Sequence, residues 1–111
     1  MKIQIKNNNI HFNYLSKAFA NITFDDRCAV IELIKVAPQF RGDKIGTNLL
    51  QTMIKYIQNN LKGVKEVTLS PLPLDPFGLK MEQLVSFYEK NNFKKVENPP
   101  IDKPYMMALS I

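Results

Sequence analysis

The stretch VAPQFRGDKIGTNLL, residues 36–50, contains the transition that decides the fold. An apolar run stops at Ala37-Pro38, a basic turn with Gly42 follows, and a leucine-rich helical pattern then begins. Backbone N–H groups at the start of a helix favour an anion, because the helix dipole and the unpaired donors both point outward. Arg41 and Lys44 add positive charge beside them. The stretch therefore predicts a turn that binds phosphate between a strand and a helix.

The composition is that of a folded domain with a basic surface. With 111 residues, 45% of them apolar, the chain predicts a single domain, 1–111, with a continuous core. No apolar stretch approaches the roughly 18 residues of a membrane span, and no signal-peptide pattern precedes the first strand, so we expect a soluble, cytoplasmic protein. The single cysteine, Cys28, agrees with a reducing compartment. The net charge of +5 favours an anionic partner, which a polyphosphate cofactor, an acidic protein or a nucleic acid would satisfy.

Alternation of apolar and polar residues before the quoted stretch predicts strands. Turn-forming residues, including the asparagines NNN at 7–9 and the pair Asp25-Asp26, separate them. The longest and most apolar run, 28–36, is expected to be central. The sequence thus predicts a four-stranded meander at residues 2–6, 10–15, 18–24 and 28–36.

Helical spacing after the turn predicts one long helix from Ile45 to Leu61, stopped by Gly63. The next strand, 64–70, can lie parallel to 28–36 because a helix separates the two. Further along, the pattern predicts an irregular loop at 71–80, a short helix from Met81 that ends at Asn91-Asn92, and closing strands at 93–96 and 105–111.

Several chemistries are disfavoured by the residues present. One cysteine and one histidine cannot assemble a structural zinc site, and the acidic residues lack the spacing of a calcium loop, so no metal is expected. GDKIGT, residues 42–47, is neither a P-loop nor a three-glycine dinucleotide fingerprint. The turn is expected to bind a different kind of phosphate.

Two motifs resemble those of the GNAT superfamily of acetyl-CoA-dependent N-acetyltransferases. The first is VAPQF followed by RGDKIG and TNLL, and the second is FYEKNNF at residues 87–93. They occur in the family's order with a strand between them, and the similarity covers about residues 28–97. The resemblance implies an α/β fold with a mixed, mostly antiparallel sheet of six to seven strands and two main helices.

The chain departs from the family pattern at three places. Lys44 and Asn92 each stand where the family has glycine, and the turn at 7–9 leaves no room for the two helices that usually wall the acceptor site. We expect the Lys44 backbone to keep the glycine-like conformation and its ammonium to lie beside the diphosphate. In size and element order the chain is similar to very short phage-encoded members, among them anti-CRISPR acetyltransferases that modify a host protein lysine.

The resemblance implies that acetyl-CoA lies between the central strand and the basic turn. The strand residues would run beside the pantetheine arm, where a backbone N–H polarises the thioester carbonyl, and the turn would surround the diphosphate. The implied cofactor-binding residues are Leu33, Ile34, Lys35, Val36, Arg41, Gly42, Asp43, Lys44, Ile45, Gly46 and Thr47.

Tyr88 and Glu32 are the candidate catalytic residues. The resemblance assigns Tyr88 the return of a proton to the departing thiolate, although its helical spacing alone is that of a core aromatic. Glu32 interrupts an apolar strand, where an unpaired carboxylate is costly, so we expect it to face a cleft or a partner and to serve as general base. His11 is an alternative base, and Cys28 suits a core position better than an acyl-enzyme.

Three functions remain open from the sequence. The first is direct acetyl transfer to an amine acceptor, either a small molecule or a protein lysine. The second is a GNAT-like module that binds acyl-CoA or a protein partner without catalysis, and the third, least favoured, is a basic nucleic-acid-binding domain. A homodimer would supply a missing acceptor wall from its second subunit.

Overall fold

The computed structural model describes residues 1–40, 42, 44–71 and 80–111 of the chain. Within them, seven strands form one sheet in the order β1-β2-β3-β4-β5-β7-β6, and two α-helices accompany it. This confirms the predicted mixed α/β fold. The elements are β1 Lys2–Lys6, β2 Asn9–Tyr14, β3 Ala18–Phe24, β4 Cys28–Val36, α1 Ile45–Asn60, β5 Glu66–Leu69, α2 Met81–Lys90, β6 Lys94–Lys95 and β7 Met107–Ser110.

Short polar turns join the first four strands into an antiparallel meander. Asn7 adopts a left-handed backbone conformation with φ 54°, which asparagine tolerates better than most residues. At the β3–β4 turn, the Asp25 carboxylate accepts hydrogen bonds from the Arg27 and Cys28 N–H groups at 2.8 Å. These bonds lower the pKa of Asp25 and fix the turn that leads into β4.

The chain then forms a parallel crossover, with β5 beside β4 as predicted. α1 begins at Ile45 and ends at Asn60, and Gly63 follows it. A Cβ added at Gly63 would lie 2.5 Å from the Asp26 carbonyl oxygen, so only glycine fits where this turn meets the β3–β4 turn. The connection therefore brings the start of β5 beside the start of β4.

The end of α2 uses asparagine in place of glycine. Asn92 has φ 73°, and the N–H groups of Asn92 and Phe93 donate to the carbonyl oxygens of Glu89 and Tyr88, which is the Schellman arrangement. The three closing strands are shorter than the predicted 64–70, 93–96 and 105–111. Three prolines between β6 and β7, which lack an N–H donor, fall in a connection without strand pairing. The predicted loop at 71–80 lies almost wholly outside the described residues.

The two faces of the sheet differ in cover. Side chains on one face pack with both helices into a single buried cluster, whose most enclosed members include Ile10, Phe12, Ile22, Leu49, Leu50, Met53, Ile57, Val67, Phe93 and Met107. The opposite face of β1–β4 carries no buried side chain. We call these the covered face and the open face. No described helix is long and apolar enough to cross a membrane.

Candidate active site

The central feature of the site is the separation of β4 from β5. Their parallel pairing runs from Cys28 opposite Glu66 to Ile31 opposite Leu69 and stops there, whereas β3 accompanies β4 as far as Val36. The last five residues of β4 therefore extend beyond the end of β5. An extended ligand with amide groups can enter such a gap and pair like an additional strand.

A β-bulge lies where the two strands separate. Asn21 pairs with Leu33 and Ile22 with Ile31, so Glu32 is one extra residue in β4. The extra residue resets the alternation of side chains. Consequently Glu32 and Leu33 are both exposed, while Ile34 returns to the covered face and packs against the core cluster.

Glu32 is exposed in the structure, so the described residues do not bury it, and its facing a partner stays a prediction. Because Ile31 lies on the covered face, alternation along β4 places the Glu32 carboxylate on the open face, and the bulge keeps Leu33 there as well. The Thr23 hydroxyl donates a hydrogen bond of 2.8 Å to Glu32 Oε1, which holds the carboxylate over the strand. The predicted base thus lies at the first position past the last β4–β5 pair.

The basic turn leads directly into α1. After a single 3-10 turn at Pro38–Phe40, Gly42 has φ 92° and Lys44 has φ 60°, so Lys44 does adopt the left-handed conformation that glycine adopts without strain. Lys44 is the N-cap and makes no side-chain capping bond, and the first turn of α1 has no acidic residue. Arg41 and Asp43 lie outside the described residues.

The first intrahelical hydrogen bond of α1 runs from the Asn48 N–H to the Lys44 carbonyl oxygen. The N–H groups of Ile45, Gly46 and Thr47 precede it and have no acceptor within the helix. A helix start with three such donors, an N-cap residue that makes no side-chain cap bond and an exposed lysine fits a diphosphate.

Gly46, in the first turn of α1, lies next to residues of β4 and α2. A Cβ added there would lie 3.6 Å from Val36 Cγ2 and 3.7 Å from Phe87 Cζ, which are ordinary contact distances. The end of β4, the start of α1 and the middle of α2 therefore converge. The structure thus brings Val36 and Gly46, two members of the predicted cofactor set, beside the helix that carries Tyr88.

Tyr88 is buried at 4% exposure, and its ring packs edge-on against Phe87 and Phe93 at 5.1 and 5.8 Å between centroids. Burial raises the pKa of its hydroxyl to about 12, because a phenolate would be poorly solvated there. The residue is a core aromatic, as its spacing suggested, and it carries its proton at neutral pH.

Cys28 and His11, the other residues considered for catalysis, lie on the open-face side of the sheet, as Glu32 does. The Cys28 thiol is half-buried, donates to the Ala29 carbonyl oxygen at 3.6 Å and lies 4.0 Å from Thr68 Oγ1. Burial raises the pKa of this thiol. His11 is half-buried and stacks on Phe19, with 6.2 Å between ring centroids.

Ser70 is a polar residue of the site that the sequence reasoning missed. It follows β5 directly, opposite the point where β4 departs, and its hydroxyl is buried without a hydrogen-bond partner in the described part of the chain. Burying a hydroxyl without a hydrogen-bond partner costs free energy, and a hydrogen bond from a bound ligand would offset that cost. The sequence feature that could have indicated Ser70 is its place at the carboxyl end of the strand that completes the parallel crossover.

Comparison with known proteins identifies the family of this fold. The family model described as "Acetyltransferase (GNAT) domain" matches residues 7–95, and the chain belongs to that family. It is therefore an acetyl-CoA-dependent N-acetyltransferase by class. No curated protein sequence matches the chain significantly.

Several solved structures share the fold. The anti-CRISPR protein AcrVA5 aligns with a TM-score of 0.74 and 19% identity, over 92% of this chain and 98% of that one. The PaiA N-acetyltransferase of Thermoplasma acidophilum, solved with coenzyme A, aligns at 0.67 and 24% identity, over 93% of this chain but 60% of its own. The ribosomal-protein-S18-alanine N-acetyltransferase of Escherichia coli gives 0.68 and 21%, over 93% and 68%. The chain thus spans about two thirds or less of those two enzymes.

Proposed function

We propose that this protein moves an acetyl group directly from acetyl-CoA to an amine on a protein acceptor, with Glu32 as general base. The observation that carries the proposal is the position of Glu32 at the opening between β4 and β5, on the open face. An amine that approaches over this face meets the carboxylate and the gap together.

The binding of acetyl-CoA is assigned to two parts of the chain. The N–H groups of Ile45, Gly46 and Thr47 bind the diphosphate, with Lys44 beside them and Arg41, Gly42 and Asp43 completing the turn as the family resemblance implies. Residues 33–36 line the pantetheine arm, and Ser70, whose hydroxyl has no partner among the described residues, offers it from the opposite side of the gap. The cofactor supplies an acetyl thioester.

Glu32 and Tyr88 are assigned different tasks, one at the acceptor amine and one at the departing sulfur. Glu32 takes the proton from the acceptor amine, and the Thr23 hydroxyl keeps its carboxylate in place. Tyr88 remains protonated at every working pH and donates a hydrogen bond toward the departing sulfur. A backbone N–H in residues 34–36 is the proposed donor to the thioester oxygen.

A covalent cysteine intermediate is disfavoured. Burial raises the pKa of the Cys28 thiol, whereas a nucleophilic cysteine needs a lowered one. Cys28 also lies at the paired end of β4, on the far side of three strand pairs from Glu32. Direct transfer is the mechanism these features support.

A protein acceptor is supported by the shape of the site. The described side chains around Glu32 form an exposed surface of a sheet, which admits a polypeptide more readily than it encloses a small amine. The E. coli neighbour, which by name acts on ribosomal protein S18, uses this fold with a protein acceptor.

One observation favours a second candidate, a module that binds acyl-CoA without turnover. Lys44 holds a strained backbone conformation at the position of a family glycine, and its side chain would stand beside a diphosphate bound at the start of α1.

The test has two stages. Calorimetry with acetyl-CoA measures cofactor binding, and mass spectrometry then measures acetylation of lysine peptides, N-terminal peptides and small polyamines. Acetylated peptide, retained by Cys28→Ser, is the expected result. Tight binding without transfer to any acceptor would select the non-catalytic module, and absence of binding would refute both.

A further inference from the structure

The register of the sheet fixes which residues share the open face with Glu32. Side chains that pair across β1–β4 form rows, and each residue of these rows is exposed or half-exposed. The rows are Lys6, Asn9, Thr23 and Val30; Gln4, His11, Asn21 and Leu33; and Lys2, Asn13, Phe19 and Lys35.

The open face is polar and basic around a single carboxylate. Lys2, Lys6 and Lys35 lie on it, and Glu32 is its only acidic residue in β1–β4. The other carboxylate on this side, Glu66 of β5, pairs opposite Cys28 at the far end of β4. The lysines of β1 are three strands away from β4, which is about 14 Å at the usual spacing of strands.

An open hollow lies at one edge of this face. Lys6, the asparagines of the β1–β2 turn and Thr23 line a volume of about 450 Å³. Thr23 also donates its hydroxyl to Glu32, so the hollow and the base share one residue. The amides of Asn7, Asn8 and Asn9 can donate to and accept from a peptide backbone.

We propose that the open face binds an acidic segment of the acceptor protein, with Lys2 and Lys6 contacting carboxylates that lie to one side of the acceptor amine. The inference rests on the proposed function and adds that the acceptor protein carries acidic side chains near the acceptor amine. At about 3.3 Å per extended residue, the 14 Å between β1 and β4 corresponds to about four residues. Acidic side chains about four positions from the acceptor lysine therefore fit the face.

An acidic polypeptide fits better than a nucleic acid. A phosphate backbone that crossed this face would meet the Glu32 carboxylate at its centre. The aromatic ring available for base stacking, Phe19, is already stacked against His11. A peptide can place its own cation at Glu32 and its carboxylates at the lysines.

The test compares labelled peptides that contain one lysine. One peptide carries glutamates three to five positions on either side of the lysine, and its control carries glutamines there. Fluorescence anisotropy measures binding, and mass spectrometry measures acetylation. We expect the acidic peptide to bind at least tenfold more tightly at low salt, with the preference reduced as salt screens the charges.

The double variant Lys2→Glu, Lys6→Glu should abolish this preference. Its matched control, Lys55→Glu, Lys62→Glu, makes the same change of net charge with exposed residues on and just after α1, and it should keep the preference. Both should bind acetyl-CoA like the unmodified chain, which also shows that they fold.

The outcomes separate this inference from the proposed function. Equal binding of the two peptides, or an unchanged preference in the β1 variant, overturns the inference even if acetylation occurs. Preferential binding without acetylation supports the inference and refutes the enzymatic proposal. Displacement of the acidic peptide by a single-stranded oligonucleotide of equal charge at lower concentration would identify the face as a nucleic-acid surface instead.

Discussion

Ile31 and Glu32 are neighbours in β4 and, like any successive residues of a strand, lie on opposite faces of the sheet. Ile31 belongs to the buried cluster at 5% exposure, whereas Glu32 projects from the bulge onto the open face. A covered face built from tightly enclosed apolar side chains specifies the fold, and substitutions there remove buried area. The open face contributes little burial, so its residues are free to serve binding and chemistry.

The largest expected effect is on the open face. Glu32→Gln keeps the size of the side chain and can still accept the Thr23 hydrogen bond, but it cannot take a proton. We expect kcat to fall about 10²- to 10⁴-fold, the usual contribution of a general base, with stability within about 0.5 kcal/mol. Steady-state kinetics and urea unfolding measure the two. A rate close to that of the unmodified protein would transfer the base role to another group, with His11 the first alternative.

At Ile31, one residue before Glu32, we expect a large effect on stability. Ile31→Ala removes enclosed methyl groups from the covered face and should lower the free energy of unfolding by about 3 kcal/mol. Leu33→Ala, at a position 37% exposed on the open face, should cost less than about 1 kcal/mol. Urea denaturation of both variants tests the contrast. Equal losses would mean that the open face is covered in solution.

The covered face was largely predictable from sequence, because its pattern is local. Alternation in the first four strands and the heptad-like spacing of Leu49, Leu50, Met53 and Ile57 follow directly from which side chains must avoid water. The left-handed residues Lys44 and Asn92 were also predictable, since the resemblance identified both as glycine positions.

The open face was predictable only in part. The bulge at Glu32 arises from a mismatch in register between β3 and β4, which no periodicity in β4 alone reveals. Its consequence, that Leu33 shares the open face with Glu32, was therefore not predicted, and neither was the hydrogen bond from Thr23 to Glu32. The Ser70 hydroxyl, which has no hydrogen-bond partner among the described residues, lies where the β4–β5 pairing ends, and that point is a property of the assembled sheet.

Substitution of Tyr88 shows whether a residue of the covered face takes part in acetyl transfer. Tyr88→Phe should lower kcat about tenfold, because it removes one hydrogen bond to the departing sulfur and leaves the packing intact. Acetyl-CoA affinity should stay nearly unchanged. An unaltered rate would confine Tyr88 to the core and restore a strict division between the faces.

The pH dependence of stability offers a second measurement on the same variant. The folded protein holds the Tyr88 proton up to a pKa of about 12, whereas the unfolded chain releases it near the ordinary value of 10.0. This contribution is complete below pH 10 and is lost as the pH rises toward 12. At pH 11 the unmodified protein should therefore have lost about 1 kcal/mol more stability than Tyr88→Phe, relative to pH 9. Parallel loss in both would show that the hydroxyl is well solvated in the fold.

The smallest effect is expected at Lys44, at the edge between the two faces. Lys44→Gly should relieve the left-handed strain, although the added freedom of the unfolded chain offsets part of the gain, so the net stabilisation is at most about 1 kcal/mol. If the ammonium contacts the diphosphate, the same change should weaken acetyl-CoA binding about fivefold at low salt and less at high salt. Lys44→Gln is the matched control, because it removes the charge and keeps the backbone constraint. A salt-independent gain in affinity for Lys44→Gly, absent from Lys44→Gln, would instead mean that the constrained backbone holds the turn away from the diphosphate.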